Sequence, residues 1–170
     1  MRIAATRRET FPLLGQQGRP IFVGLRGMDI PELRGCIQEY RKAWEEAGHP
    51  GNGNVSLRIP VYAAETQQQA MDEPWESIKL YFGRMGNLYR ESAGIDSTEL
   101  RQGRAERLAS LTYETILETK VAFGSAESLV DRFSMLKEEL GLNCVVGEFN
   151  AGGLIPADRV LNSLKIVTHK

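Results

Sequence analysis

Strand-like and helix-like segments take turns along this chain, and that alternation limits its fold more than any other property. Short apolar runs at Ile3–Ala5, Ile21–Leu25, Val55–Ala64 and Cys144–Phe149 read as strands, and each leads through a loop to a helix cap. Such an order describes about half of a (β/α) barrel, which ordinarily closes with eight strands. The expected fold class is α/β, of the (β/α) TIM-barrel type, with about four βα units (a half-barrel) and one long polar insertion. At 170 residues the chain is long enough for a single domain, residues 1–170, with a sizeable core. Barrel chemistry sits at the carboxyl ends of the strands, so the loops beginning at Thr6, Arg26, Glu65 and Asn150 are searched first.

In the first unit, Thr6 and Glu9 have the spacing of a capping box, and Gly18 with Pro20 marks the helix end. Pro12 would break a helix starting after Thr6 but is tolerated in the first turn of one starting near Thr10, so a late or irregular start is expected. The second unit is the clearest. Asp29 and Glu32 form a capping-box pair, and Ile30, Leu33, Ile37, Tyr40, Trp44 and Ala47 make one apolar stripe that stops at Gly48. In the third, Pro60 predicts a bulge or a strand exposed along part of its length. A helix follows Pro74, with Ile78, Phe82, Met85 and Tyr89 on one face.

Glu91–Arg107 is polar with little periodicity, and reads either as a lid over a site or as a tolerated insertion. Leu108, Leu111, Thr115 and Ile116 suggest helix again. In the last unit Ser125 caps a helix striped by Leu129, Phe133, Leu136 and Leu140, which ends at Gly141. Asn150-Ala151-Gly152-Gly153 reads as a flexible loop, and Pro156 opens a helix carrying Val160, Leu164 and Val167.

Lys and Arg nearly cancel Asp and Glu, for a formal charge of −1, so no basic face for nucleic acid is expected. The apolar runs are too short to span a membrane. The 2 cysteines, Cys36 and Cys144, fall inside a helix and a strand, as buried thiols would in a reducing cytoplasm. His49 lies in a turn and His169 near the end, so no metal site is expected.

No acid–base pair, nucleophile set or phosphate-cradling glycine loop can be assembled, which leaves any chemistry to a bound cofactor. The best place for one is Ala5-Thr6-Arg7-Arg8-Glu9-Thr10. A helix N-terminus offers free N–H groups to an anion, Thr6 and Thr10 add hydroxyls, and Arg7 or Arg8 could pair with phosphate. The same residues also describe a capped helix with two exposed arginines.

Several of these segments resemble one family. Ile3-Ala4-Ala5 through Thr10 followed by Gly18-Arg19-Pro20-Ile21, the helix from Leu33 to Gly48-His49, and Val61-Tyr62-Ala63-Ala64-Glu65-Thr66 are similar to bacterial luciferase-like flavin monooxygenases. So are Gly124-Ser125-Ala126-Glu127 and Phe149-Asn150-Ala151-Gly152-Gly153 before Val160-Leu161-Asn162-Ser163-Leu164. The resemblance implies the C-terminal half of a (β/α) barrel that binds reduced FMN, or in a sister branch a deazaflavin, at its mouth. By position it implies that Ala5, Thr6, Arg7 and Thr10 hold the flavin phosphate and neighbouring atoms, and that Leu25 lies beside the flavin ring. Thr10 matches the hydroxyl residue of luciferase, whereas Thr6 and Arg7 replace acidic and serine residues. Glu91–Arg107 coincides with the loop that covers the flavin.

The implied activity is oxygenation of a small organic substrate by reduced flavin and oxygen, with a flavin reductase as the source of reduced flavin. The catalytic histidine belongs to the family's first four strands, so no catalytic residue is assigned and little activity is expected of this chain alone. A non-enzymatic flavin-binding module and a degenerate remnant without ligand are the competing readings. Open sheet edges make a homo-oligomer the expected state.

Overall fold

The computed structural model describes residues 1–92 and 99–169. It contains β1 (Ile3–Ala4), α1 (Thr10–Gln16), β2 (Ile21–Gly24), α2 (Ile30–Glu46), β3 (Val55–Ala63), α3 (Gln67–Asp72) and α4 (Trp75–Ser92). There follow α5 (Glu99–Ala109), α6 (Tyr113–Thr119), β4 (Ala122–Gly124), α7 (Ala126–Leu140), β5 (Cys144–Glu148) and α8 (Ala157–His169). Every strand pairing with a recorded register is parallel. Among the described residues five strands stand where the sequence predicts four: Ala122–Gly124, only three residues long, is too short for periodicity to reveal. The residues group into two compact units, 1–59 with 132–147 and 60–131 with 148–170, and β3 runs from one into the other.

In the first unit β1 pairs with β2 (Ile3 opposite Ile21) and β2 with β3 (Ile21 opposite Val55). Strand β5 takes the other side of β3. Alternate residues Ile21, Val23, Val55 and Leu57 are almost fully buried, as are Leu33, Cys36, Ile37 and Tyr40 of α2. Helix α2 starts as its sequence predicts, with the Asp29 carboxylate accepting from the Glu32 N–H at 2.8 Å. Its C-cap is Ala47, followed by Gly48 at φ +73°. Gly15 lets α1 cross α2 closely, because a Cβ there would run into the Tyr40 carbonyl oxygen. His49 bonds the Gln16 carbonyl at 2.8 Å and lies against Trp44, so it finishes α1.

Thr6 is not the N-cap of α1. Glu9 itself occupies the N-cap with no side-chain bond, the helix begins at Thr10, and Pro12 falls in its first turn.

In the second unit, Val61–Ala63 of β3 pairs with Ala122–Gly124. Pro60 is buried within a continuous strand rather than exposed. It lies between the residues registered with β2 and those registered with β4, so its missing N–H costs neither ladder a bond. Ile78, Phe82, Leu108, Ile116 and Val121 form a core among α4, α5 and α6.

Helix α5 falls in the stretch read as lid or insertion. It was hidden because only Ala105 and Leu108 of its described side chains are buried. Residues 93–98 of that stretch lie outside the described residues. Thr66 and Gln69 cap α3 reciprocally. The loop read as flexible is bonded at several points: Ser77 Oγ donates to the Ala151 carbonyl at 2.7 Å and accepts from Leu154 N–H at 3.0 Å. Asn150 bonds both backbone groups of Ile155. On the α8 stripe Leu164 is exposed while Val160 and Val167 are half-buried, Val160 packing against the Tyr62–Ile155 cluster; the helix's one buried residue is Ser163, whose hydroxyl accepts from the Ala63 N–H at 2.8 Å.

Candidate functional site

The turn from Ala5 to Thr10 leaves the carboxyl end of β1, next to the end of its parallel neighbour β2. Ala5 is buried, and its N–H donates to the Phe22 carbonyl at 3.0 Å, so only its carbonyl remains to face a ligand. Thr6 and Arg7 are exposed. Thr10, half-buried, donates its hydroxyl proton to the Arg7 carbonyl at 2.7 Å, which closes the turn and leaves the hydroxyl oxygen as an acceptor. The N–H groups of Thr10 and Phe11 bond back to the Arg7 and Arg8 carbonyls, so the first helical amides are partly used.

Arg8 is committed elsewhere. Its Nε and Nη2 reach Glu39 Oε1 at 3.1 and 2.5 Å, and that carboxylate raises its already high pKa. Leu25 follows the last residue of β2 and is 2% exposed. A ring lying beside it would meet backbone and little of the side chain. Four of the five predicted residues, Ala5, Thr6, Arg7 and Thr10, thus share one turn, and Leu25 lies at the neighbouring strand end. Thr6 and Arg7 bring a hydroxyl and a guanidinium to this exposed turn. A hydroxyl and a guanidinium suit a phosphate, and the Glu9 carboxylate of the same turn is an opposing charge.

The sequence did not reveal a cleft of about 250 Å³ at the carboxyl end of β3, lined among others by Tyr62, Glu65, Glu73 and Arg159. The Tyr62 hydroxyl donates to Glu73, and Arg159 stands 3.9 Å from the same carboxylate. Burial, then the bond to Glu73, holds the Tyr62 phenol protonated well above its ordinary range. This makes it a neutral donor rather than a base. The signal available was Tyr62 on a strand followed by the Thr66 cap, and neither points to Glu73 or Arg159. Among the described residues, no group of three or more His, Cys, Asp or Glu could hold a metal ion. Likewise, no helix is long and apolar enough to cross a membrane.

The parallel βα arrangement defines a class, the (β/α) proteins. The family is specific: residues 2–144 match the model of the luciferase-like monooxygenases, and the chain belongs to that family. The motifs at Phe149–Gly153 and Val160–Leu164 lie beyond the matched residues. No curated protein matches the chain by sequence.

Among solved structures, the FMN-complexed oxygenating constituent of 3,6-diketocamphane monooxygenase from the CAM plasmid of Pseudomonas putida is similar. It shares 17% identity at a TM-score of 0.74, with 98% of this chain and 46% of that one covered. The coenzyme F420-dependent tetrahydromethanopterin reductase of Methanopyrus kandleri shares 15% identity at a TM-score of 0.64, covering 98% and 48%. A long-chain alkane monooxygenase shares 16% identity at 0.62, covering 98% and 39%. At these identities the likeness establishes the fold, an α/β parallel-sheet fold matching TIM-barrel relatives. The chain spans less than half the length of each of these three.

Proposed function

We propose that the chain is the C-terminal part of one luciferase-like domain, a flavin-dependent monooxygenase acting with reduced FMN and oxygen on a small organic substrate. Thr6 and Arg7 hold the flavin phosphate, the Ala5 carbonyl and Thr10 shape the turn, and Leu25 backs the ring. The observation that carries this reading is the exposed Thr6–Arg7 pair at the carboxyl end of β1, in a chain of this family. When bound, the flavin supplies the redox chemistry, while this chain's residues grip its phosphate. In this reading a separate flavin reductase supplies reduced flavin in the cytoplasm, and residues outside this chain complete catalysis. A deazaflavin-dependent oxidoreductase is the second reading, favoured by the F420-dependent neighbour.

Titrating the purified chain with reduced FMN and with reduced deazaflavin, followed by an oxygen-uptake assay, tests both. The account expects binding of FMN over deazaflavin and little turnover. Preference for the deazaflavin would move the assignment to the sister branch. Failure to bind either would overturn the cofactor role, and rapid oxygenation by the chain alone would overturn its dependence on outside residues.

A further inference from the structure

Three residues of the first unit stand at one level of its sheet, at the carboxyl end. Ala4 is opposite Phe22 and Gly24 is opposite Arg58, so the row that closes β2 holds Gly24 and Arg58. Thr6 leaves β1 two residues past Ala4, at that same level. Side chains alternate along a strand, which puts Phe22, Gly24 and Arg58 on one face and Ile21, Val23, Val55 and Leu57 on the other. The second set is almost fully buried, as is the apolar stripe of α2. The β1–α1–β2 and β2–α2–β3 crossovers, of the right-handed kind, carry both helices on that buried face. Arg58 therefore belongs to the opposite face, which in a (β/α) barrel is the interior.

Packing alone does not call for an arginine there. Barrel interiors are filled mostly by bulky branched residues, and ligands bind at the level of the strands' carboxyl ends, which is where Arg58 stands. Arg58 interacts within the chain, and a guanidinium carries five N–H donors, enough for that partner and a ligand together. Gly24, on the strand between, puts no side chain between Thr6 and Arg58. Two interstrand spacings, about 10 Å, separate the strand that ends at Thr6 from the one that bears Arg58.

We propose that Arg58 binds the pyrimidine edge of the flavin ring, at N1 and the C2 carbonyl, and so favours the reduced cofactor over the oxidised one. This rests on the reading that Thr6 and Arg7 hold the flavin phosphate and that the ring lies beside Leu25. FMN carries its ring a ribityl chain away from the phosphate. A phosphate at the end of β1 and a ring at the end of β2 bring the far edge of that ring to β3. The dimethylbenzene edge is apolar and gives a guanidinium nothing to bond. The pyrimidine edge offers carbonyl oxygens and gains negative charge on reduction, which a guanidinium stabilises.

Anaerobic titration of the purified chain with oxidised and with reduced FMN tests the contact. Wild type should bind the reduced form more tightly. Arg58→Met should cost reduced FMN roughly tenfold or more in affinity, the worth of one charge-assisted bond, and oxidised FMN much less. Arg58→Lys, which keeps the charge, should restore most of the difference, and both variants should still prefer FMN to riboflavin. An equal loss for the two redox forms, an unchanged ratio in Arg58→Met, or a lysine variant no better than the methionine one would overturn the inference and leave the phosphate grip standing. A wild type that binds neither form removes the reading beneath it, and the inference with it. If the variants do not fold, the absorption spectrum of reduced FMN on the unmodified chain decides. The bound ring should stay deprotonated at N1 at a pH where free reduced FMN has taken up that proton. Protonation at the same pH as the free cofactor contradicts the contact.

Discussion

Asn143 grips Val55 at two points. Its backbone N–H donates to the Val55 carbonyl at 2.9 Å, and its side-chain oxygen accepts from the Val55 N–H at 2.8 Å. One residue before β5 thereby ties down both polar groups of the first residue of β3, a fully buried position. Replacing the side chain would strand the Val55 N–H, which costs about 1–3 kcal/mol. Asn143→Ala should therefore lower the thermal midpoint by several degrees, while Asn143→Asp, which keeps the acceptor, should stay near wild type. Equal loss in both variants would mean that the bond is not what matters at this position.

The Ser77 hydroxyl serves two backbone groups, Ala151 and Leu154, around Gly152. Ser77→Ala should destabilise by about 1–3 kcal/mol through the unpaired groups it leaves. Gly152→Ala should be worse, because φ is +97° there and a Cβ would overlap the Ser77 carbonyl. Urea midpoints measure both. An unchanged midpoint for Gly152→Ala would show that the loop does not hold this geometry.

Tyr113 donates to the Met71 carbonyl and packs edge-on against Trp75. Burial, and secondarily Asp72, pushes its phenol up to about 12. Between the ordinary tyrosine value near 10 and that pKa, the unfolded chain has lost the proton and the folded chain keeps it. Stability conferred by this group is thus intact below about pH 10 and is lost as pH rises toward about 12. Tyr113→Phe should flatten part of the alkaline fall, with Tyr62 and Tyr40, shifted in the same direction, contributing to what remains. An identical pH profile in the variant would remove Tyr113 from the account.

Elements specified by adjacent residues were legible in the sequence. Asp29, the Leu33–Trp44 stripe and Gly48 predicted α2 because cap, face and stop all lie on one segment. Pro12 likewise argued for the late start of α1. Where stability comes from distant partners, the reading failed. Helix α5 is polar and gains its place from Ala105 and Leu108, and β4 is defined by its pairing with Val61–Ala63.

The turn at Ala5–Thr10 is proposed as the site from its position and from the resemblance. Nothing local foretold that Arg8 would be taken by Glu39, 31 residues away, or that Thr10 would donate its proton inward. The cleft at Tyr62 was missed for the same reason: Glu73 and Arg159 meet it only in the fold.

The central claim is that the Thr6–Arg7 turn grips a flavin through its phosphate. Comparing affinities for FMN and riboflavin, which differ by that phosphate, isolates the contact. Wild type should prefer FMN, and Arg7→Glu should erase most of that preference, a loss of roughly tenfold or more for one charge-assisted bond. Arg8→Ala should leave it intact. A preference for FMN that survives Arg7→Glu unchanged would contradict the account.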